Sequence, residues 1–192
     1  MSLMSRGIAY QALKLRAITL LVLNRRAAAR EVFSEMVRRW PEDLYARSSR
    51  AHVDAQLGRR TSAIEDLRIV TTADPHGRAA DWFNLGFLLD AEDDPAGAEA
   101  AFRRAVALEP KLDRAWYGLG LALIRLGRLD DAVAALERNT ELQPMSPFGW
   151  YQLARVQMDR RRPDEARRII RHLKGFEPKV AAQLEREVGQ SV

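Results

Sequence analysis

The chain has 192 residues, 47% hydrophobic and 30% charged, with a net charge of +5. That apolar content excludes intrinsic disorder and fits one domain or one array of small repeated units. The absence of cysteine excludes a disulfide framework, cysteine-ligated zinc, iron–sulfur sites and a thiol nucleophile.

Residues 1–9 read as an N-terminal leader and helix extension. The apolar stretch Ala17–Leu23 is followed by Asn24-Arg25-Arg26, without the small-residue site that a signal-peptide cleavage needs. It is far short of the roughly 20 apolar residues of a membrane span, and it is expected to form half of a buried helix. The expected location is the cytoplasm, or the periplasm if a signal peptide has been removed.

Prolines set the ruler for the rest of the chain. Pro41, Pro75, Pro110, Pro144 and Pro178 are spaced 34, 35, 34 and 34 residues apart, each after an apolar-periodic stretch where a helix should stop. Counting back from them frames five units: 10–43, 44–77, 79–112, 113–146 and 147–180. Unit position 8 is Ala17, Ala51, Gly86, Gly120 and Ala154, and position 20 is alanine throughout: Ala29, Ala63, Ala98, Ala132 and Ala166. Position 24 is Phe33, Leu67, Phe102, Leu136 and Ile170, and position 4 is Leu13, Arg47, Trp82, Trp116 and Trp150.

Positions 4, 7, 8 and 11 share one face of a first helix, and positions 20, 24 and 27 one face of a second. The small residues let the two backbones approach, and the large ones fill the space between hairpins. Gly58 and Gly127 stand where the first helix ends. Pro95 and Pro163 stand in the first turn of the second helix, and Ser146-Pro147 supplies an N-cap residue and an N1 proline for the fifth unit. Such a hairpin buries its apolar face only by stacking on neighbours. Residues 181–192 are expected to form a capping helix, with Val180, Leu184 and Val188 on one face, and a frayed tail from Gly189.

The third unit, with Trp82, Leu85, Gly86, Leu89, Ala98, Phe102, Ala105 and Pro110, resembles the tetratricopeptide repeat family. So does the fourth, with Trp116, Leu119, Gly120, Leu123, Ala132, Leu136 and Pro144, although Asn139 departs at position 27. The resemblance covers about residues 10–180. It implies an all-α fold, a right-handed α-α superhelix of helix-turn-helix repeats, and a non-enzymatic scaffold whose first helices line a concave groove. One variant of the family grips a C-terminal carboxylate with a Lys/Asn/Lys/Arg clamp at positions 5 and 9. Those positions here are Lys14 and Ile18, Ser48 and His52, Phe83 and Phe87, Tyr117 and Leu121, and Tyr151 and Arg155. The clamp is missing, so binding of heat-shock chaperones is not carried over.

The expected partner-binding groove comprises Tyr45, Ser48, His52, Phe83, Phe87, Tyr117, Leu121, Ile124, Phe148, Tyr151 and Arg155. Position 12 also brings Met158 to this face. Aromatics at positions usually exposed point to apolar recognition, with a helix or peptide segment of another protein as occupant. The alternatives are that a terminal helix or a second copy covers the stripe, or that it is core. The second functional reading is a self-associating component of a bacterial envelope, secretion or pilus apparatus. A third is a regulatory module from a larger enzyme.

The first two units depart from the family pattern. Arg16 and Arg50 stand at position 7, Arg47 at position 4 and Asp54 at position 11, where apolar residues are expected. Arg50 and Asp54, four apart, are placed to pair on one helix face. Either they build a polar site, or the stems pack while the heads reach water. Net charge is +6 over residues 1–78, −5 over 79–146 and +4 over 147–192, a polarity that argues against a polyanion along the array. The basic cluster around Arg160–Arg162, Arg167, Arg168 and Arg171 has no nucleic-acid recognition module beside it. His52, His76 and His172 fall in different units, with no metal-binding pair, phosphate loop or nucleophile elbow. No catalytic residue, metal or cofactor is expected.

Overall fold

The computed structural model describes residues 3–189, with side chains described from residue 7 to residue 187. Among these residues are eleven helices and no strand. The first hairpin pairs α1 (Leu3–Val22) with α2 (Arg26–Arg39), and the second pairs α3 (Leu44–Gln56) with α4 (Arg60–Ala73). The third repeat runs through α5 (Ala79–Ala91) and then α6 (Pro95–Leu108), and the fourth hairpin is α7 (Asp113–Arg125) with α8 (Leu129–Leu142). The fifth is α9 (Pro147–Asp159) with α10 (Pro163–Lys174), and α11 (Pro178–Gly189) follows. The helices α3, α5, α7 and α9 start where the proline count starts each unit. The chain divides into two compact halves, Met1–Leu88 and Leu89–Val192.

One turn ends the first helix of all five repeats. Unit position 15 has a left-handed backbone in each: Asn24 (φ 57°), Gly58 (76°), Asp93 (64°), Gly127 (72°) and Arg161 (59°). The next residue's N–H then reaches back five residues to a carbonyl of the last helical turn, as in Arg59 to Asp54 at 2.8 Å and Arg162 to Gln157 at 2.8 Å. The same bond joins Arg25 to Leu20, Asp94 to Leu89 and Arg128 to Leu123. This is the Schellman closure of a helix C-terminus. Pro95, Pro147 and Pro163 open their helices as expected. Asp94 caps α6 by accepting from the Gly97 N–H at 2.9 Å. Ser146 occupies the N-cap position of α9, but its side chain makes no cap hydrogen bond.

The alanines at position 20 are fully buried, as are Ala17, Ala51 and Ala154 at position 8. Phe33, Leu67, Phe102, Leu136 and Ile170 are buried at position 24. The close approach is tight at Gly120, where a Cβ would lie 2.7 Å from the Leu136 side chain. The departure at Asn139 has a structural cause. Its Nδ2 donates to the Asp113 carbonyl at 2.9 Å, tying α8 to the start of α7, and its Oδ1 fills the space a Cβ on Gly149 would need.

Three expectations need correction. The Ala17–Leu23 stretch is only half buried: Ala17 faces inward, while Ile18, Val22 and Leu23 are exposed. Arg50 does not take Asp54 as its hydrogen-bond partner. It donates from Nε and Nη2 to Asp66 on α4 at 2.7 and 2.8 Å, while Asp54 accepts from Arg30 Nε on α2 at 2.8 Å and from Ser62 Oγ at 3.0 Å. The helical spacing suits a pair within α3, but each guanidinium meets a carboxylate on a neighbouring helix instead. The cap starts earlier than residue 181: α11 begins at Pro178, packs on α9 and α10, and buries Ala181 and Leu184. Val188 and the tail beyond Gly189 lie outside the residues whose side chains are described.

Candidate partner-binding surface

Each half carries part of the expected stripe. In the N-terminal half, Phe83 and Phe87 lie one turn apart on α5 and stack with ring centroids 6.5 Å apart. Phe87 is 61% exposed, which a ring of that size reaches only when nothing in the chain covers it. Beside it is a small cavity of about 40 Å³, lined by His52 and Ala55 from α3 and by Asn84, Phe87 and Leu88 from α5. Arg26 Nε donates to Gln56 Oε1 at 2.8 Å. That fixes the Gln56 amide so that its Nε2 faces His52 Nε2 at 2.9 Å, and the imidazole nitrogen must accept there. His52 is thus held as an oriented ring on the surface.

Tyr45 and Ser48 belong to a second, larger cavity of about 150 Å³ in the same half, with Thr71, Asp74, Asp81 and Trp82 among its walls. Ser48 lies below the surface rather than on it, and its hydroxyl donates to Asp81 Oδ1 at 2.5 Å. Lys14 Nζ lies 4.1 Å from the centre of the Tyr45 ring, a cation–π contact that holds Tyr45 against α1. Asp81 escaped the sequence reading. It stands at position 3, where the other units have Ala12, Ala46, Ala115 and Gly149, and that contrast was the available signal.

Beneath this surface lies a layer of charge. Asp54 is fully buried and Asp66 nearly so. Arg50 and Arg47 converge on Asp66. The Asp54 hydrogen bond raises the Arg30 guanidinium's pKa above its ordinary value, and the Asp66 hydrogen bond does the same for Arg50. These cations therefore stay charged at any physiological pH. Arg16, by contrast, is exposed.

In the C-terminal half, Tyr117, Leu121 and Ile124 are half-buried on α7. Phe148, at the start of α9, is 67% exposed, with Met145 exposed in the turn before it. Tyr151 is engaged by the chain itself: its hydroxyl lies 3.0 Å from Glu187 Oε1 on α11 and accepts from Gln183 Nε2 at 3.3 Å. Arg155 is exposed, its guanidinium carbon 5.8 Å from the Tyr151 ring centre. The C-terminal helix thus covers part of the fifth repeat's first helix.

Three arginines of the basic cluster that spans the end of α9 and α10 are held in ion pairs. Arg160 pairs with Asp130, Arg167 with Asp164 and Arg168 with Glu165. Among the described residues, no group of His, Asp or Glu is placed to hold a metal ion, and no helix is long and apolar enough to cross a membrane.

Profiles of the tetratricopeptide repeat match residues 14–78, 48–111 and 91–147. Curated proteins yield no match. Among solved structures, a MamA protein superposes with a TM-score of 0.84 at 20% identity, covering 92% of this chain and 96% of that one. MamA residues 41-end from Desulfovibrio magneticus RS-1 gives 0.78 at 19% identity, covering 93% and 96%. YrrB, described as a TPR protein with an unusual peptide-binding site, gives 0.81 at 18% identity, covering 88% of each chain. At these identities the likeness is one of fold.

Proposed function

Because the chain belongs to the tetratricopeptide repeat family, we propose that it is a non-enzymatic scaffold that holds an apolar or amphipathic segment of another protein on the faces of its first helices. The observation that carries this is Phe87: a large ring, stacked on Phe83, exposed beside a cavity and an oriented His52. Tyr117, Leu121 and Ile124 offer the C-terminal half's apolar contacts, and Phe148 an exposed anchor. Large rings with little rotamer entropy to lose make good binding anchors. The peptide-binding description of YrrB agrees with this use of the fold. Tyr151 and Arg155 contribute less, because α11 already engages Tyr151.

The test is Phe87→Ala combined with Tyr117→Ala. Partner capture should fall at least about tenfold, the loss expected when two anchors go, while the melting temperature stays near that of the wild type. Unfolding of the double variant would place these rings in the core and end the reading. A stable variant with undiminished capture would move the binding face elsewhere.

A further inference from the structure

We propose that the larger cavity of the N-terminal half is a pocket for a lysine side chain of a protein partner; this rests on the scaffold reading and adds to it what the bound segment must carry. The cavity, of about 150 Å³, lies between the first turns of α3 and α5 and the end of α4. Three departures from the repeat meet there. Position 5 is Ser48, where the other units have Lys14, Phe83, Tyr117 and Tyr151, so the shortest side chain of the five stands on the cavity wall. Position 3 is Asp81, where the others have alanine or glycine. Arg78, the residue inserted between the second and third units, lines the cavity beside Gly77.

Asp81 is 4% exposed, and its carboxylate is only half supplied. Oδ1 accepts from Ser48 Oγ at 2.5 Å. Arg78 Nε stands 4.0 Å from Oδ2, too far for a hydrogen bond, and the arginine side chain is 65% exposed. Among the described residues, the other two buried aspartates are better served: Asp54 meets Arg30, and Asp66 meets Arg47 and Arg50. A buried carboxylate is well placed only when paired, and a cation entering the cavity completes the pair at Oδ2.

The other polar walls also call for a donor. Ser48 gives its proton to Asp81, the Thr71 hydroxyl donates to the Leu67 carbonyl at 2.8 Å, and the Trp82 indole N–H donates to the Pro75 carbonyl at 3.3 Å. The two hydroxyls keep lone pairs to offer, and Asp74 adds a second carboxylate to the wall. An ammonium brings three donors and no acceptor. Leu44, Val70 and Trp82 supply apolar wall for the methylenes behind it. A cavity of this volume admits a benzene-sized ligand, and a butylammonium chain is smaller. A guanidinium suits the site less. With Oδ1 taken by Ser48, Asp81 cannot offer the two-oxygen fork that Asp66 gives Arg50, which is what favours arginine at a carboxylate. The chain's own Lys14 lies over the Tyr45 ring and does not line the cavity.

The test titrates Nα-acetyl-lysine methylamide into the full chain and follows the Trp82 indole N–H by NMR. A saturable shift is expected, with a dissociation constant of roughly 1–10 mM. The norleucine analogue, which lacks the charge, and the arginine analogue should each bind at least about tenfold more weakly. Asp81→Asn keeps an acceptor for Ser48 and removes the charge. It should weaken the lysine analogue at least about tenfold, with the melting temperature near that of the wild type. Arg78→Ala removes a competing cation and should tighten binding. The proposal is overturned by the lack of a saturable shift, by equal binding of the norleucine or arginine analogue, by a folded Asp81→Asn chain that binds as well as the wild type, or by weaker binding to Arg78→Ala. Putrescine binding at least about tenfold tighter than the lysine analogue would assign the cavity to a free amine and overturn it as well. If Asp81→Asn does not fold, the comparison of analogues still decides. The titration uses no partner, so its failure ends the lysine pocket and leaves the Phe87 surface standing.

Discussion

The Nε–H of Arg47 donates to the carbonyl oxygen of Pro41 at 3.0 Å. Three tryptophans make the same bond: Trp82 to Pro75 at 3.3 Å, Trp116 to Pro110 at 2.9 Å and Trp150 to Pro144 at 2.9 Å. The residue at position 4 of one repeat thus satisfies the proline carbonyl that follows the preceding second helix. This explains why an arginine can replace an indole there: both offer a planar N–H at the end of a long side chain. It also ties the proline ruler to repeat packing, since the carbonyl lies just beyond a helix end whose groups need partners.

Trp116→Ala should cost about 3–5 kcal/mol, combining lost packing with the unsatisfied carbonyl. Trp116→Phe keeps most of the ring and loses the donor, so about 1 kcal/mol is expected. Urea denaturation of the two variants separates the contributions. A Trp116→Phe variant as stable as the wild type would mean that the hydrogen bond contributes nothing.

Asp54→Ala should be among the most damaging changes in the N-terminal half. It leaves Arg30 without its carboxylate acceptor on α3 and removes the acceptor of Ser62. Breaking a buried pair from one side costs about 3–5 kcal/mol. Adding Arg30→Met should recover much of that, because the stranded charge goes with it. The shift in the urea midpoint measures both.

Arg161 holds φ at 59°, where a side chain costs about 1–2 kcal/mol relative to glycine. Arg161→Gly should therefore raise stability by up to about 1 kcal/mol after the added chain entropy is subtracted. Gly127→Ala, at the equivalent turn, should lower it by about 1 kcal/mol. A calorimetric comparison of the two would settle whether position 15 is governed by backbone conformation alone.

Burial, and then the neighbouring Asp43 carboxylate, push the Tyr10 phenol up to about 12 from its ordinary 10.0. The folded chain holds this proton longer than the unfolded one, so stability should fall as pH rises from about 10 to about 12. Tyr10→Phe should flatten that part of the profile. Melting temperature followed against pH in both proteins provides the check, and identical slopes would show that Tyr10 plays no part in it.

Much of the fold was legible in the sequence, because the repeat forces it. Small residues at positions 8 and 20 and prolines at the unit ends recur often enough to identify the hairpins and their starting residues. What escaped depends on atoms rather than residue classes. Arg47 reads as a breach of an apolar position until its Nε–H is seen doing what indole does. Glycine marks only two of the five left-handed turns; Asn24, Asp93 and Arg161 adopt the same backbone without announcing it. The pairing of Arg50 with Asp66 rather than Asp54 depends on how α4 packs on α3, which helical spacing within α3 does not encode. Tyr151 carries the groove pattern, and only the path of α11 shows that its hydroxyl is already engaged.

Contact between the first-helix aromatics and another protein is tested most directly by site-specific photocrosslinking in the native cell. Benzoylphenylalanine would replace Phe87 in one variant, Tyr117 in another, and exposed Arg103 on α6 as the control. One discrete protein adduct, shared by the first two positions and absent from the third, is the predicted result. Adducts at Arg103 equal to those at Phe87, or adducts only with a second copy of the chain, would contradict it.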